Sequence, residues 1–250
     1  MKKKDKNRIV FSGKTANSYD AWFEMPSGAF ARDLEHSLLL TLCPDWKGKR
    51  VLDIGCGTGN QLLLFREQGI DFGVGIDISE KMLGIAKGKF RQTDTKNLFV
   101  VKASGERLPF KAEEFDCVTS ITALEFFKNP DFSIKEMLAL NADDYLIAVL
   151  NRWSLSSQWR RLKGYFTRNV FRYARFYSPF SLEKVFRENG FSVENYRMIW
   201  RTTLHFFPIY FRFIEPILRR LENTLTKLGW PFGAFLVLRI ARKPAEKEQE

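Results

Sequence analysis

The sequence predicts an α/β protein: a seven-stranded, mostly parallel open sheet with helices on both faces, plus N-terminal helices and a helical cap or insertion in the C-terminal half. Three observations carry this expectation. Between residues 50 and 150, short β-rich runs alternate with helical patterns, the signature of βαβ units. A glycine turn, Gly55-Cys56-Gly57-Thr58-Gly59, directly follows the first of these runs and opens a helix. At 250 residues and 45% apolar, the chain is long enough to bury one sizeable core, so one domain with elaborations is expected.

Taken in order, 15–25 and 29–42 read as helices, with Leu34, Leu38 and Thr41 on one face of the second. Strands are expected at 50–54 and 72–77, separated by a helix over 59–68. Ser79 caps a helix running to about residue 90, with Glu80 in its first turn. Strands at 98–102 and 116–122, a helix over 130–140 and a strand at 145–150 complete the regular part. From residue 151 a basic, ring-rich helical region extends to about Tyr177. A helix over 181–188 follows, stopped by Asn189-Gly190. Two last strands, 191–200 and 235–240, flank a helical insertion near 207–227. The organisation is therefore 1–44, helices covering the site; 45–150, the ligand-binding core; 151–242, the basic aromatic cap with the final strands of the same domain; and 243–250, a charged tail.

The formal net charge is +11, and 14 Lys or Arg against 4 Glu between Arg152 and Arg220 give that one segment +10 of it. Anionic partners are favoured there, whether a lipid surface, nucleic acid or an acidic substrate. Cys43, Cys56 and Cys117 lack the spacing of a disulfide framework or a zinc ligand set, so no metal is expected and a reducing cytoplasm fits. The basic start is not followed by the apolar run of a secretory signal. The longest apolar stretch, 203–218, is broken by His205, Pro208, Arg212, Glu215 and Pro216, so no membrane span is expected.

The glycine loop points to a ligand at the carboxyl edge of the sheet. A dinucleotide fingerprint would need a third glycine at Asn60, whereas here it comes one residue early, at Gly59. Asp53, two residues before the first glycine, would crowd a pyrophosphate but suits a cation such as the ammonium of a methionine moiety. Asp77 ends the second strand, where a carboxylate can accept from both hydroxyls of a ribose. The plainer role for Asp77 is a turn or helix cap.

Residues 51–59, Val-Leu-Asp-Ile-Gly-Cys-Gly-Thr-Gly, resemble motif I of class I S-adenosylmethionine-dependent methyltransferases, which are Rossmann-like. Gly75-Ile76-Asp77-Ile78-Ser79, followed by Met82-Leu83, resembles their second motif. Glu106-Arg107-Leu108-Pro109-Phe110 and Phe115-Asp116-Cys117-Val118 resemble the branch that includes the ubiquinone-menaquinone methyltransferases. The resemblance covers roughly residues 15 to 150. It implies S-adenosyl-L-methionine as cofactor, with Gly55, Cys56, Gly57 and Gly59 in the loop beneath its methionine and ribose parts and Asp53 orienting the amino group. It further implies Asp77 on the ribose, Ile78 and Met82 around the adenine, and Thr122 beside the methionine moiety. Ser104 stands where the family commonly has Asp, so Gly105 and Glu106 are expected to share the reading of the adenine. Ala142-Asp143-Asp144 replaces a usual Pro-Gly-Gly, a change expected to affect only a turn.

Methyl transfer from a sulfonium is an in-line displacement, so the protein chiefly contributes alignment and exclusion of water, and a base is optional. Glu125, after the fourth strand, and Tyr19, in a Tyr-Asp start similar to family members whose first helix folds over the cofactor, are the candidate catalytic residues. Glu125 could instead cap the next helix, and Tyr19 could simply pack. His36 and His205 read as packed or surface residues. Thr122-Ala123-Leu124-Glu125 is unlike the Asn-Pro-Pro-Tyr of amino-methylating nucleic-acid enzymes, and Cys117 reads as core and not as a nucleophile. A small, apolar or lipid-like acceptor is therefore favoured over nucleic acid. Interleaving of Trp153, Trp159 and Phe171 with Arg160, Arg161 and Arg175 suits a cap over an apolar pocket, contact with an anionic membrane surface, stacking on single-stranded nucleic acid, or an ordinary solvated helical cover. The competing expectations are an RNA methyltransferase using the basic face and a module that binds the cofactor without turnover.

Overall fold

The computed structural model of the chain describes residues 11, 14–43, 45–166, 171, 174–203 and 215–244. Two helices come first, α1 (Lys14–Glu24) and α2 (Pro26–Leu42). Pro26 separates them: its fixed φ and missing N–H suit a first helical turn and end the helix before it. The core then runs β1 (Arg50–Ile54), α3 (Asn60–Glu67), β2 (Phe72–Asp77), α4 (Glu80–Gln92), β3 (Leu98–Lys102), β4 (Cys117–Ile121), a 3-10 turn at Leu124–Phe126, α5 (Pro130–Ala139) and β5 (Asp144–Leu150). It closes with α6 (Leu155–Phe166), α7 (Pro179–Glu188), β6 (Tyr196–Thr203), α8 (Glu215–Lys227) and β7 (Phe235–Arg242).

The seven strands form one open sheet in the order β3-β2-β1-β4-β5-β7-β6. β1 to β5 pair in parallel, and β7 runs antiparallel between β5 and β6. The chain winds outward from β1 to β3 and then returns to β4 on the other side. The carboxyl ends of β1 and β4 therefore splay apart at a topological switch point, where such sheets bind ligands.

Both faces of the central strands are buried, which explains their near-continuous apolar runs. One face carries Leu52, Ile54, Val118, Tyr145, Ile147 and Leu238 against α5 and α7. The other carries Val51, Cys117, Leu146, Ala148 and Val237 with Leu38, Leu39, Leu62 and Phe65. Each large apolar side chain withdrawn this fully from water stabilises the fold by roughly 1.5–3 kcal/mol. On the second face Trp46 stacks on Phe65, with centroids 4.0 Å apart and planes at 12°.

Three expectations change. The sixth strand begins at Tyr196, not at 191, because Phe191 turns into the core beside Tyr196 while the residues between them form a turn. The seventh continues to Arg242, whose guanidinium reaches Asp143 at 2.7 Å. The Ala142-Asp143-Asp144 departure does more than alter a turn. Asp144 is buried and paired with Lys49 at 2.6 Å and Arg239 at 2.7 Å, so it ties the start of β1 to β5 and β7. The expected insertion resolves to α8 over its second half, while 204–214, with His205, and 245–250 lie outside the described residues. Among the described residues no helix is long and apolar enough to cross a membrane.

Candidate functional site

The glycine loop leaves β1 by a sharp turn in which Gly55, Gly57 and Gly59 all have positive φ, a region that only glycine enters cheaply. Gly55 donates its N–H to the Ile76 carbonyl at 2.8 Å, and a Cβ on it would lie 2.3 Å from that of Ala123. At Gly57 a Cβ would meet nothing within 4 Å, so the loop backbone faces open space. Gly59 acts differently, as the left-handed N-cap of α3, and a Cβ there would strike the Phe90 ring at 2.8 Å.

These elements open a narrow cleft of about 90 Å³ at the switch point. Its lining includes Gly55, Cys56, Gly57, Asp77, Ile78, Met82, Ser104, Gly105, Glu106 and Thr122, ten of the twelve residues expected to hold the cofactor. Asp53 and Gly59 are not in that lining. Asp53 is almost fully buried behind the loop, where its Oδ1 accepts from the Thr119 hydroxyl at 2.7 Å, and burial pushes its carboxyl up to about 7. Its direct support is therefore to the strand pair β1–β4 beneath the loop.

Asp77 takes the turn role considered for it and also lines the cleft. Oδ1 accepts from the Ser79 N–H at 2.8 Å and Oδ2 from the Gly57 N–H at 3.1 Å, so the carboxylate orients the turn and the loop while lining the cleft. Each carboxylate oxygen has more than one lone pair, so capacity remains for a ribose diol. Burial raises the Asp77 carboxyl, opposed by those backbone hydrogen bonds. Ser79 caps α4 by accepting from the Met82 N–H at 3.3 Å, which places Met82 against the cleft. Ser104 accepts from the Glu106 N–H at 3.3 Å, and Glu106 Oε1 accepts from Lys128 and Asn129 N–H groups at 3.0 and 3.2 Å. Both residues thus shape the wall of the cleft as well as lining it. Apolar lining from Ile78 and Met82, open space beside the Gly57 backbone and a carboxylate at the end of β2 fit an adenosine bearing an amino acid.

A second cavity, about 340 Å³, shares Phe11, Tyr19, Thr122 and Phe126 with the cleft and adds Trp22, Phe23, Glu35, Leu150, Arg160 and Phe171. Tyr19 is hydrogen-bonded to Thr122 and so stands where the two meet. Thr122 itself has a positive φ of 49° and donates its N–H to Ala148 at 2.7 Å, an unusual backbone for a β-branched residue at the tip of a strand. Glu125 lies in neither lining. It is fully buried; Oε1 accepts from the Leu150 N–H at 3.2 Å, its carbonyl accepts from the Arg175 N–H at 2.9 Å, and burial pushes its carboxyl up to about 8. It braces the wall and does not cap α5. His36 is likewise outside both linings, with burial lowering its imidazole.

Sequence reasoning missed Asp20 and Phe11. Asp20 on α1 accepts from Thr58 at 2.8 Å and Asn60 at 3.0 Å and pairs with Lys89 at 2.8 Å, clamping the first helix onto the glycine loop. Burial opposes its charged form, but the hydrogen bonds from Lys89, Thr58 and Asn60 outweigh it and hold the carboxyl low. The Phe11 carbonyl accepts from the Ser79 hydroxyl at 2.5 Å while its ring packs edge-on to Tyr19 and Phe126. The Tyr19-Asp20 pair was the available signal for the clamp; Phe11 has none.

Residues 28–196 match the family model of a methyltransferase domain, and the chain belongs to that family. It is an S-adenosylmethionine-dependent methyltransferase of class I, with the cofactor-binding fold that the cleft requires. An uncharacterised protein of Methanocaldococcus jannaschii is 30% identical over 71% of this chain and 79% of its own length. A ubiquinone biosynthesis O-methyltransferase of Dechloromonas aromatica is 36% identical over 42% of this chain and 46% of its own. Other curated relatives are matched over 35% to 63% of their length. A solved methyltransferase of Thermotoga maritima, described as a possible histamine N-methyltransferase, has the same fold, with a TM-score of 0.67 at 24% identity over 91% of this chain and 95% of that one.

Proposed function

We propose that this methyltransferase acts on a small, apolar acceptor held in the aromatic cavity beside the donor cleft, and that it meets the acceptor at an anionic membrane surface. The observation that carries the first part is the second cavity: Phe11, Trp22, Phe23, Phe126, Leu150 and Phe171 form most of its wall, and Tyr19 and Thr122 join it to the cleft. A concave site lined mainly by rings and aliphatic side chains is what a small hydrophobic molecule requires. The relative named for ubiquinone biosynthesis is in keeping with such an acceptor.

When bound, S-adenosylmethionine would supply an activated methyl group. The protein's own residues would do the remaining work. Gly57 and Asp77 would hold the donor, Tyr19 and Thr122, which line both spaces, would position donor against acceptor, and the ring wall would exclude water, which strengthens every electrostatic contact inside.

The membrane part rests on the cap. α6 exposes Leu155, Trp159 and Leu162 beside Arg161, and α8 exposes Ile217 and Leu221 beside Arg219 and Arg220. Near them Trp153, Phe180, Trp230 and Phe232 form a connected ring cluster with centroids 5.3 to 5.9 Å apart, and the last three are exposed. Basic helices with exposed Trp and aliphatic residues suit the headgroup region of an anionic bilayer.

The test incubates the protein with methyl-labelled S-adenosylmethionine and a lipid extract. Label in an organic-soluble product, matched by S-adenosylhomocysteine, is the expected outcome. Label in RNA alone would transfer the reading to the basic-face alternative, and donor binding without turnover would leave a binding module. Co-sedimentation with phosphatidylglycerol vesicles but not phosphatidylcholine vesicles is expected; indifference to lipid charge removes the membrane part.

A further inference from the structure

The acceptor cavity holds one feature that an apolar site does not need. Arg160, on α6, lines it, and its Nη1 is buried from solvent without a hydrogen-bond partner. A buried guanidinium N–H left unpaired costs more than a neutral donor would, because desolvation of a charged group is lost without return. The guanidinium carbon also sits 5.4 Å from the centre of the Phe171 ring, which fixes the plane of the fork against the cavity wall. Arg can only donate, in a planar array matched to two oxygens of one group.

We propose that Arg160 is the specificity-determining residue of the acceptor cavity, and that the acceptor is an apolar, ring-containing molecule bearing an acidic oxygen, a carboxylate or a phenolate, which the free face of the guanidinium binds. This deepens the reading above and rests on that cavity being the acceptor site. The other charged groups around it are consistent with such a ligand. Glu125 is buried behind the wall and held largely neutral by its surroundings at pH 7, so it does not repel an anion strongly. Glu35, on α2, shares the lining and faces Arg160 electrostatically. A cationic amine is the opposite case: Glu35 and the rings would attract it, while Arg160 would repel it.

The experiment measures binding of three probes of nearly equal shape, 2-naphthoate, 2-naphthamide and 2-naphthylmethylammonium, to the full chain saturated with S-adenosylhomocysteine. The expected result is at least tenfold tighter binding of the carboxylate than of the amide, with the ammonium weakest. In Arg160→Gln that preference should vanish, and in Arg160→Lys it should partly return, with S-adenosylhomocysteine affinity unchanged in both. Equal affinity of carboxylate and amide would mean that water satisfies Arg160 and would overturn the proposal. So would absence of measurable carboxylate binding, preference for the ammonium, or a preference that survives in Arg160→Gln. If S-adenosylhomocysteine itself fails to bind, the methyltransferase reading fails; normal cofactor binding without acid preference sinks only the inference about Arg160. The two kinds of acidic oxygen are then separated by offering 2-naphthol at pH values on either side of its ionisation: tightening on ionisation, lost in Arg160→Gln, adds phenolates to the accepted class.

Discussion

The cleft at the switch point and the aromatic cavity beside it meet at Tyr19 and Thr122, yet they are built by opposite means. The cleft is largely backbone work: glycines at positive φ, a carboxylate that binds two loop N–H groups, and residues drawn mostly from consecutive βαβ units, with Phe11 and Tyr19 added from the N-terminal side. The cavity is side-chain work, assembled from α1, α2, the end of β5, α6 and Phe171. Backbone geometry admits few substitutes, whereas a wall of rings can be repacked at modest cost, so one half is committed to its ligand and the other is free to diverge.

The sharpest way to break this contrast is at Gly55. Gly55→Val places a branched side chain where even a Cβ would lie 2.3 Å from Ala123, at a φ of 79°. Strain and overlap together should cost about 3–5 kcal/mol, seen as loss of S-adenosylhomocysteine binding by calorimetry or of the folded state by circular dichroism. Next is Asp77→Ala, which removes the acceptor of the Gly57 and Ser79 N–H groups and the carboxylate proposed to hold the ribose. Cofactor affinity should fall roughly 100-fold, about 3 kcal/mol. Unchanged affinity would refute the ribose assignment.

Glu125 tests the wall of the cavity through pH. Its folded value, about 8, lies above the unfolded carboxylate range, as does that of Asp53 at about 7. The folded state therefore keeps protons on these two groups that the unfolded state has released, so their contribution to stability is full below about pH 4 and declines as pH rises through 7 and 8. Glu125→Gln should flatten the upper part of that decline and stabilise the protein at pH 8.5 by on the order of 2 kcal/mol in urea titrations. A curve parallel to wild type would show that Glu125 is ionised in the fold.

The smallest effect is expected at the clamp. Asp20→Asn should loosen α1 from the loop at a cost of about 1 kcal/mol, weakening cofactor several-fold and raising hydrogen exchange in α1. Because the Asp20 carboxyl is held low, the clamp's stabilisation is present above the ordinary Asp range and lost as pH falls through its folded value. Wild type and Asp20→Asn should therefore converge toward pH 3.

Much of the core was legible before the fold was known. The alternation of apolar runs located the five parallel strands because both faces of each are covered, and Ser79 and Asn189-Gly190 marked their helix ends by local chemistry. The errors fall where tertiary contacts override local pattern. Phe191 looked like strand but is drawn into the core, and Asp144 looked like a turn but is a buried ion-pair centre for Lys49 and Arg239. Gly59 and Asp53 belonged to the right motif but brace the loop from outside the cleft lining, a distinction that depends on which side of a turn each faces.

By itself, then, the sequence determined the parallel sheet, the glycine turn and the carboxylate at the end of β2, because φ restrictions, alternation and capping act over a few neighbouring residues. Only the tertiary structure decided that Glu35, Arg160 and Phe171 line one cavity, that Asp20 locks α1 to the loop, and that Glu125 stands behind the wall. Those contacts join residues far apart in the chain, and packing at such separation leaves no period or spacing for a sequence to display.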